Sequence, residues 1–296
     1  VCQQLGIPHY VLNYKDLFRQ EVVGLFAEEY LRGRTPNPCI SCNRYIKFGA
    51  FSHKLRELGF DLMATGHYAC CGYNEATGRW ELKRAIHPEK DQSYVLYSMT
   101  QDELRHTLFP LGGMTKTHTR ELARKLGFYN ADKPDSQDIC FVPDGDYASF
   151  IRSFTGRDYP RGEFVDKNGN VLGKHRGLIG YTVGQRKGLG IALGEPKYVT
   201  ALLPDENRVV LGSNEDLMSR ELDAKNFNFI AFDTPPAEFR ASARVRYRQA
   251  EQPATVRVTG EDTVHITFDE PQRAITKGQA VVVYYGDVVI GGGEIC

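Results

Sequence analysis

Three of the seven cysteines in this chain stand where a sulfur atom could do chemistry. Cys39 and Cys42 form a Cys-x-x-Cys within TPNPCISCN, which sets both sulfurs on one turn. Cys140 comes much later, in DSQDICF, and meets the pair only if the fold brings the two loops together. The pair alone leaves several chemistries open: a redox couple, half a zinc site, part of an iron–sulfur site, a persulfide relay, or two ordinary buried thiols. Pro36 and Pro38 bracket Asn37, and each disfavours helix in the residue before it. The spacing therefore predicts an exposed, stiff turn at Cys39. Cys2, Cys70, Cys71 and Cys296 fall in no comparable setting. Cys70 and Cys71 are adjacent, and vicinal cysteines make a poor tetrahedral zinc pair with Cys39 and Cys42.

Other polar groups sit at positions suited to ligands. A short apolar stretch, residues 61–65, reads as a strand running into Gly66-His67. Open α/β sheets bind their ligands at the carboxyl ends of strands, in small-residue turns of this kind. The bland reading of His67 is a structural histidine at a strand end. Lys90, Asp91 and Gln92 bring a charge for phosphate and an amide for a base or water; alternatively Asp91 simply caps a helix. Residues 171–193 contain no acid but carry Lys174, Arg176, Arg186 and Lys187. Glycines flank Arg186-Lys187, and backbone without side chains can approach phosphate closely, although a tight turn needs the same residues. Arg240, Arg244, Arg246 and Arg248 form a second basic cluster on a chain of zero net charge. Two such clusters suggest patches that meet phosphates, against the alternative of solvated faces.

The elements that must position these groups fall into two textures. The start of the chain reads as a helix end, a stop at Gly6 and a strand over residues 9–12, the middle of an α/β unit. Apolar residues at Phe18, Val22, Phe26 and Tyr30 predict a helix over 16–32. A second helix is predicted over 48–58, stopped by Gly59, and a hairpin from 68–72 and 79–84. Helices follow over 92–98 and 116–126, the latter with Thr115 as N-cap and Gly127 as stop. After about residue 144 glycines and turn signals multiply, and segments 254–259, 263–268 and 280–285 alternate or are β-branched. That predicts a terminal β-barrel. The expected domains are 1–144, a small central unit over 145–214, and the barrel over 215–296. No apolar run reaches the roughly 18 residues that span a bilayer, so no membrane partner is expected. The odd number of unevenly spaced cysteines fits a reducing cytoplasm.

Taken in order, TPNPCISCNRYIKFGAF, ATGHYA, KDQSYVLY, KPDSQDICF, GYTVGQRKGLGI and GQAVVVYYGDVVIGGG resemble the tRNA-specific 2-thiouridylases over essentially the whole chain. The resemblance implies an α/β fold: a partial adenine-nucleotide α-hydrolase-like domain with a parallel sheet, a small central domain and a C-terminal β-barrel. It implies thiolation of the wobble uridine of tRNA, with ATP and Mg2+ adenylating the 2-carbonyl oxygen. An adenylated oxygen leaves as AMP, whereas the bare carbonyl oxygen is a very poor leaving group. The persulfide that attacks is a soft nucleophile at neutral pH. By motif, Cys140 is the persulfide carrier and Cys42 its partner. Gly66 and His67 meet the nucleotide, Lys90, Asp91 and Gln92 line the pocket that tRNA enters, and Arg186 and Lys187 contact tRNA. The sulfur donor is a cysteine desulfurase or a sulfur-relay protein, and the enzyme is expected to be a monomer. Many relatives carry aspartate where this chain has Cys39, which leaves a third thiol. Cys39, Cys42 and Cys140 could then ligate an iron–sulfur cluster as the alternative sulfur chemistry. The family's SGGxDS-type pyrophosphate loop does not occur in the sequence. The expectation is a family member whose loop lies upstream of Val1, and the chain alone would be an incomplete enzyme or a module that only binds tRNA.

Overall fold

A computed structural model describes residues 1–133 and 138–296; Asp135, Ser136 and Gln137, expected to shape the Cys140 loop, lie outside the described residues. After a short helix Cys2–Leu5, ended by left-handed Gly6 as expected, a long helix runs unbroken over residues 15–31, through Lys15–Phe18, Arg19–Gly24 and Leu25–Leu31. Its middle turns are π-helical, yet Val22, Val23, Phe26, Ala27 and Tyr30 still share one buried face. The next long helix starts ten residues earlier than its periodicity predicts, at Pro38, and runs through Pro38–Ser41, Cys42–Phe51 and Ser52–Glu57. Asn37 explains the early start. Its side chain accepts from the Cys39 backbone N–H (3.1 Å), and Pro38 takes the first helical position, where its missing N–H costs nothing. Cys39 is thus in the first turn of a helix and exposed, rather than on the predicted loop turn.

Strands β1 (Met63–Ala64), β2 (Ala69–Asn74), β3 (Arg79–Arg84) and β4 (Thr107–Leu108) follow. β1 and β4 pair in parallel, and β2 and β3 form the expected hairpin. Gly112 lets the chain after β4 cross β2 closely: a Cβ there would stand 2.0 Å from the Ala69 carbonyl oxygen. The strand expected over 9–12 has no hydrogen-bonded neighbour among the described residues and is irregular. The helix expected over 92–98 is only a 3₁₀ turn, Ser93–Leu96. Residues 93–99 are all buried, so this segment has no solvent face for a surface helix to present. The helix Lys116–Lys125 forms as predicted, with the Thr115 hydroxyl accepting from His118 N–H (3.0 Å) and Gly127 left-handed at φ 70°.

The central unit opens with the helix Tyr147–Thr155 and continues as β5 (Gly162–Val165), β6 (Val171–His175), β7 (Tyr198–Leu203) and β8 (Arg208–Gly212). Their order is β6-β5-β8-β7, with β5 and β8 parallel, around a core of Phe164, Val199, Val209 and Leu211. The last six strands are β9 (Met218–Phe229), β10 (Glu238–Arg244), β11 (Gln252–Gly260), β12 (Thr263–Arg273), β13 (Ala280–Tyr285) and β14 (Val288–Ile295). They close antiparallel in the order β9-β12-β11-β10-β13-β14 and back to β9, which leaves the ring without an open edge. Val264, Ile266 and Phe268 alternate inward with Ala254 and Val256 opposite. β14 also pairs with β3 at Val288 and Lys83, so the hairpin of the first domain extends the barrel sheet. The two cores merge there: Leu82, Tyr94 and Leu96 pack with Val282, Tyr284 and Val289.

Candidate functional site

The thiol helix is held from both ends. Arg34 forms ion pairs with Glu29 (2.9 Å) and with Glu294 of the barrel. Thr35 N–H donates to the Lys277 carbonyl (2.9 Å), and the Gln279 amide donates to the Thr35 carbonyl (2.6 Å). Gly278, at φ 84°, makes this clamp possible, because a Cβ there would stand 3.1 Å from the Thr35 nitrogen. Immediately after Cys42, the buried Asn43 amide donates to the Val95 carbonyl (2.8 Å). The barrel and the buried 93–99 segment therefore fix where Cys39 and Cys42 stand.

Cys140 reaches the same place through the residue after it. Phe141 sits in an aromatic cluster with Phe18 (5.8 Å), Phe26 (5.3 Å) and Phe150 (5.2 Å), contributed by the helices on either side. Tyr147 donates to the Asp138 carboxylate, which also accepts from Ile139 N–H (2.8 Å). So anchored, Cys140 comes close enough that its charge acts on both Cys39 and Cys42. All three are free thiols. The surrounding protein pushes the Cys39 and Cys42 thiols above their ordinary values; the Lys47 ammonium opposes that, and the neighbouring thiols add to it. Among the described residues, no three or more His, Cys, Asp or Glu side chains gather closely enough to hold one metal ion. The three thiols as they stand thus do not form the ligand set of an iron–sulfur cluster, and no carboxylate set for Mg2+ is present among the described residues.

His67 is buried between Phe48 (5.9 Å) and Phe109 (6.2 Å). Its Nδ1 is 2.9 Å from the Thr65 hydroxyl and its Nε2 is 3.3 Å from Lys47 Nζ. With Lys47 donating to Nε2, the ring proton lies on Nδ1 and goes to Thr65. Burial first, and the ammonium second, push its pKa down to about 4, so the ring is neutral near pH 7. Gly66, just past β1, is exposed; its missing Cβ would have only Leu111 near it, at 3.9 Å. It borders two clefts. One, of about 810 Å3, runs past Tyr68, Lys90, Gln92 and Lys116 to Arg244, Tyr247 and Arg248 of the barrel. The other, of about 790 Å3, follows the 116–125 helix. Gly66 is thus an open turn just past the carboxyl end of a strand in a parallel pair, the kind of position where open α/β sheets place ligands.

The three residues 90–92 take different positions. Lys90 and Gln92 are half-buried on the larger cleft. Gln92 is locked to the Gly66 turn: its side-chain oxygen accepts from Tyr68 N–H (2.9 Å) and its own N–H donates to the Tyr68 carbonyl (2.8 Å). Asp91 is buried, with its carboxylate accepting from Ala85 N–H, Ser93 N–H and the Ser93 hydroxyl, and 4.0 Å from Arg244. Its carboxylate is thus committed to nearby backbone N–H groups, to the Ser93 hydroxyl and toward Arg244, at the edge of the same cleft.

The second basic cluster does not form one patch. Arg240 makes a bidentate pair with Asp269, Arg244 faces Asp91 and the Tyr284 ring, and Arg246 is turned inward. Arg246 donates to the Val183 and Ala274 carbonyls and the Thr276 hydroxyl (3.2, 3.0 and 2.8 Å). Arg248 is exposed on the cleft. The Arg246 staple holds the 177–191 loop of the central unit against the barrel. Within that loop Gln185 accepts from Thr182 N–H and donates to the Lys187 carbonyl, and Gly184, Gly188 and Gly190 all have positive φ. Arg186 and Lys187 project from this braced turn into solvent. Sequence reasoning overlooked Lys47, Tyr247, Arg34 and Gln279. The IKF of the helix motif contains Lys47, but only the fold reveals which way it points.

Residues 1–144 match the family described as tRNA methyl transferase HUP domain, 148–213 the tRNA methyl transferase PRC-barrel domain, and 219–295 the aminomethyltransferase beta-barrel domain. The chain is 54% identical over 295 residues to the tRNA-specific 2-thiouridylase MnmA of Carboxydothermus hydrogenoformans, covering all of this chain and 81% of that protein. It is 51% identical over 295 residues to the tRNA-specific 2-thiouridylase MnmA of Clostridioides difficile, covering 82% of it. To the protein of the same name from Moorella thermoacetica it is 52% identical, covering 83%. No helix among the described residues is long and apolar enough to cross a membrane.

Proposed function

We propose, for a chain that belongs to the tRNA-specific 2-thiouridylase family, that it replaces the 2-oxygen of the tRNA wobble uridine with sulfur. The observation that carries this reading is that Cys140, from a distant part of the sequence, is brought near enough for its charge to act on both Cys39 and Cys42. Methyl transfer, which the domain descriptions mention, would make no use of three converging thiols.

ATP is read as the co-substrate at the Gly66 turn, bringing its own Mg2+, and tRNA as the occupant of the larger cleft. Lys90 and Arg248 offer charge there, and Tyr247 a ring face; Gln92 holds the turn in shape and Asp91 the segment behind it. Arg186 and Lys187 meet the tRNA backbone farther out. The uridine 2-oxygen attacks the α-phosphorus of ATP, the α–β anhydride bond breaks and pyrophosphate leaves, giving an AMP ester; a cysteine desulfurase or sulfur-relay protein loads a persulfide on Cys140. The Cys42 thiolate attacks the inner sulfur of that persulfide. A Cys42–Cys140 bond forms, the S–S bond of the persulfide breaks, and hydrosulfide leaves with the electron pair. Hydrosulfide adds at C2 and AMP departs. A dithiol reductant then returns Cys42 and Cys140 to thiols. The relay is favoured over a cluster, because among the described residues no three or more His, Cys, Asp or Glu side chains form a metal-holding group.

The test is thiolation of unmodified tRNA transcripts with ATP and a persulfide donor. Cys42→Ser and Cys140→Ser are expected to lose product while still binding tRNA. Full thiolation by either variant would overturn the reading.

A further inference from the structure

The wide helical stretch that begins at Cys42 has a consequence for the sulfur chemistry. In an α-helix, residues five apart point about 140° away from each other. Residues Cys42–Phe51 are instead π-helical, with hydrogen bonds closing over five residues. That winding turns Lys47 toward the face of Cys42, five positions before it. Gly49 suits the wide turn, since a Cβ there would lie 2.7 Å from the Arg44 carbonyl oxygen. The far end of Lys47 is fixed as well: its Nζ is 3.3 Å from His67 Nε2, and His67 is wedged by Phe48 and Phe109 and tied to Thr65. The ammonium therefore stands between the nucleotide turn and the thiols. Among the described residues, the charges acting on Cys42 come from Lys47 and Cys140; those acting on Cys39 come from Lys47 and the other two thiols. Tyr247 approaches Cys39 from the barrel side as a neutral phenol.

We infer that Lys47 is the positioning cation of the sulfur transfer, held by the π-helical turn and His67 where it stabilises the anion exchanged between Cys42 and Cys140. This rests on the proposed relay. In that relay one negative charge moves without changing in number, from the Cys42 thiolate to the departing hydrosulfide. A fixed positive charge that acts on the Cys42 side favours the attacking thiolate. A neutral His67 supports this role, because it accepts from the ammonium and adds no second charge.

The experiment is alkylation of the protein with iodoacetamide across a pH series, resolved by peptide mass spectrometry for Cys39, Cys42 and Cys140. The Lys47 charge favours the Cys42 thiolate, and one pKa unit is a ten-fold change in thiolate at a pH well below the midpoint, so Lys47→Met should slow alkylation of Cys42 at pH 7 by up to about ten-fold and move its midpoint upward. Lys47→Arg should restore most of the rate, which a merely structural role for the side chain would not predict. Lys47→Gln provides a second neutral variant should Lys47→Met fold poorly. An unchanged Cys42 profile in a neutral variant of normal melting temperature overturns the inference and leaves the relay standing, provided Cys42→Ser still abolishes thiolation. Normal thiolation by Cys42→Ser would overturn the relay itself, whatever the alkylation shows.

Discussion

Replacing His67 by glutamine should flatten the acid limb of the stability curve. His67 is 8% exposed, packed between two phenylalanines, with an ammonium 3.3 Å from one ring nitrogen. Its folded pKa is about 4, against an ordinary value of 6.5. Above pH 6.5 the ring is neutral in both folded and unfolded chains, and its full contribution to stability is present. Between pH 6.5 and 4 the unfolded chain binds a proton that the folded one refuses, so stability falls as pH falls. Below about pH 4 both states are protonated and this residue adds nothing further. At 1.36 kcal/mol per unit, the gap corresponds to about 3 kcal/mol over the whole window, of which about 2 kcal/mol is gone by pH 5. Glutamine cannot titrate, so the variant lacks this loss, although it gives up ring packing by an amount that does not depend on pH. Urea unfolding of parent and variant at pH 7.5, 6.5, 5.5 and 5.0 gives the two slopes, and the carboxylates common to both cancel in their difference. Parallel slopes would refute the argument, and would mean that His67 is protonated in the folded protein or reaches water freely.

Three further outcomes are expected. Cys39→Asp should keep most of the thiolation activity, because Cys42 and Cys140 carry the sulfur transfer; loss of activity in parallel with loss of bound iron from anaerobically purified protein would instead revive a cluster. Alanine at both Arg186 and Lys187 should weaken tRNA binding and reduce the slope of log affinity against log salt by roughly one to two units, and an unchanged slope in a normally melting variant would remove this turn from the tRNA surface. Arg246→Ala leaves the Val183 and Ala274 carbonyls and the Thr276 hydroxyl without their shared donor, and hydrogen bonds to a charged group are worth about 1.5–3 kcal/mol; thermal unfolding should begin earlier, with the central unit, and an unchanged melt would show that other contacts hold the loop.

What the sequence revealed depended on whether the deciding interaction was local. Thr115 and Gly127 bound their helix because a cap needs only its own first or last turn. Strands β11 and β12 were legible because alternation records a single inner face, whereas β13 is buried on both faces and shows only as a β-branched run. The early start at Pro38 is also local, but two prolines read as a turn until the Asn37 cap is recognised. The strand expected over 9–12 and the helix expected over 92–98 failed for the opposite reason: one needs a neighbour to pair with, and the other lies wholly inside a core that two domains share. The thiols follow the same division. That Cys39 and Cys42 stand together is a matter of spacing, whereas the approach of Cys140 depends on Phe141 finding Phe18, Phe26 and Phe150. The basic clusters show the limit most clearly. Arg246 and Arg248 are two residues apart and identical in type, yet one is spent inside the protein on carbonyl oxygens and the other faces the cleft. Charge read along a strand cannot tell these apart, because β geometry puts i and i+2 on the same face only while the strand continues. β10 ends at Arg244, so the four arginines were never one row, and of the four only Arg248 is exposed on the cleft that Lys90 also lines.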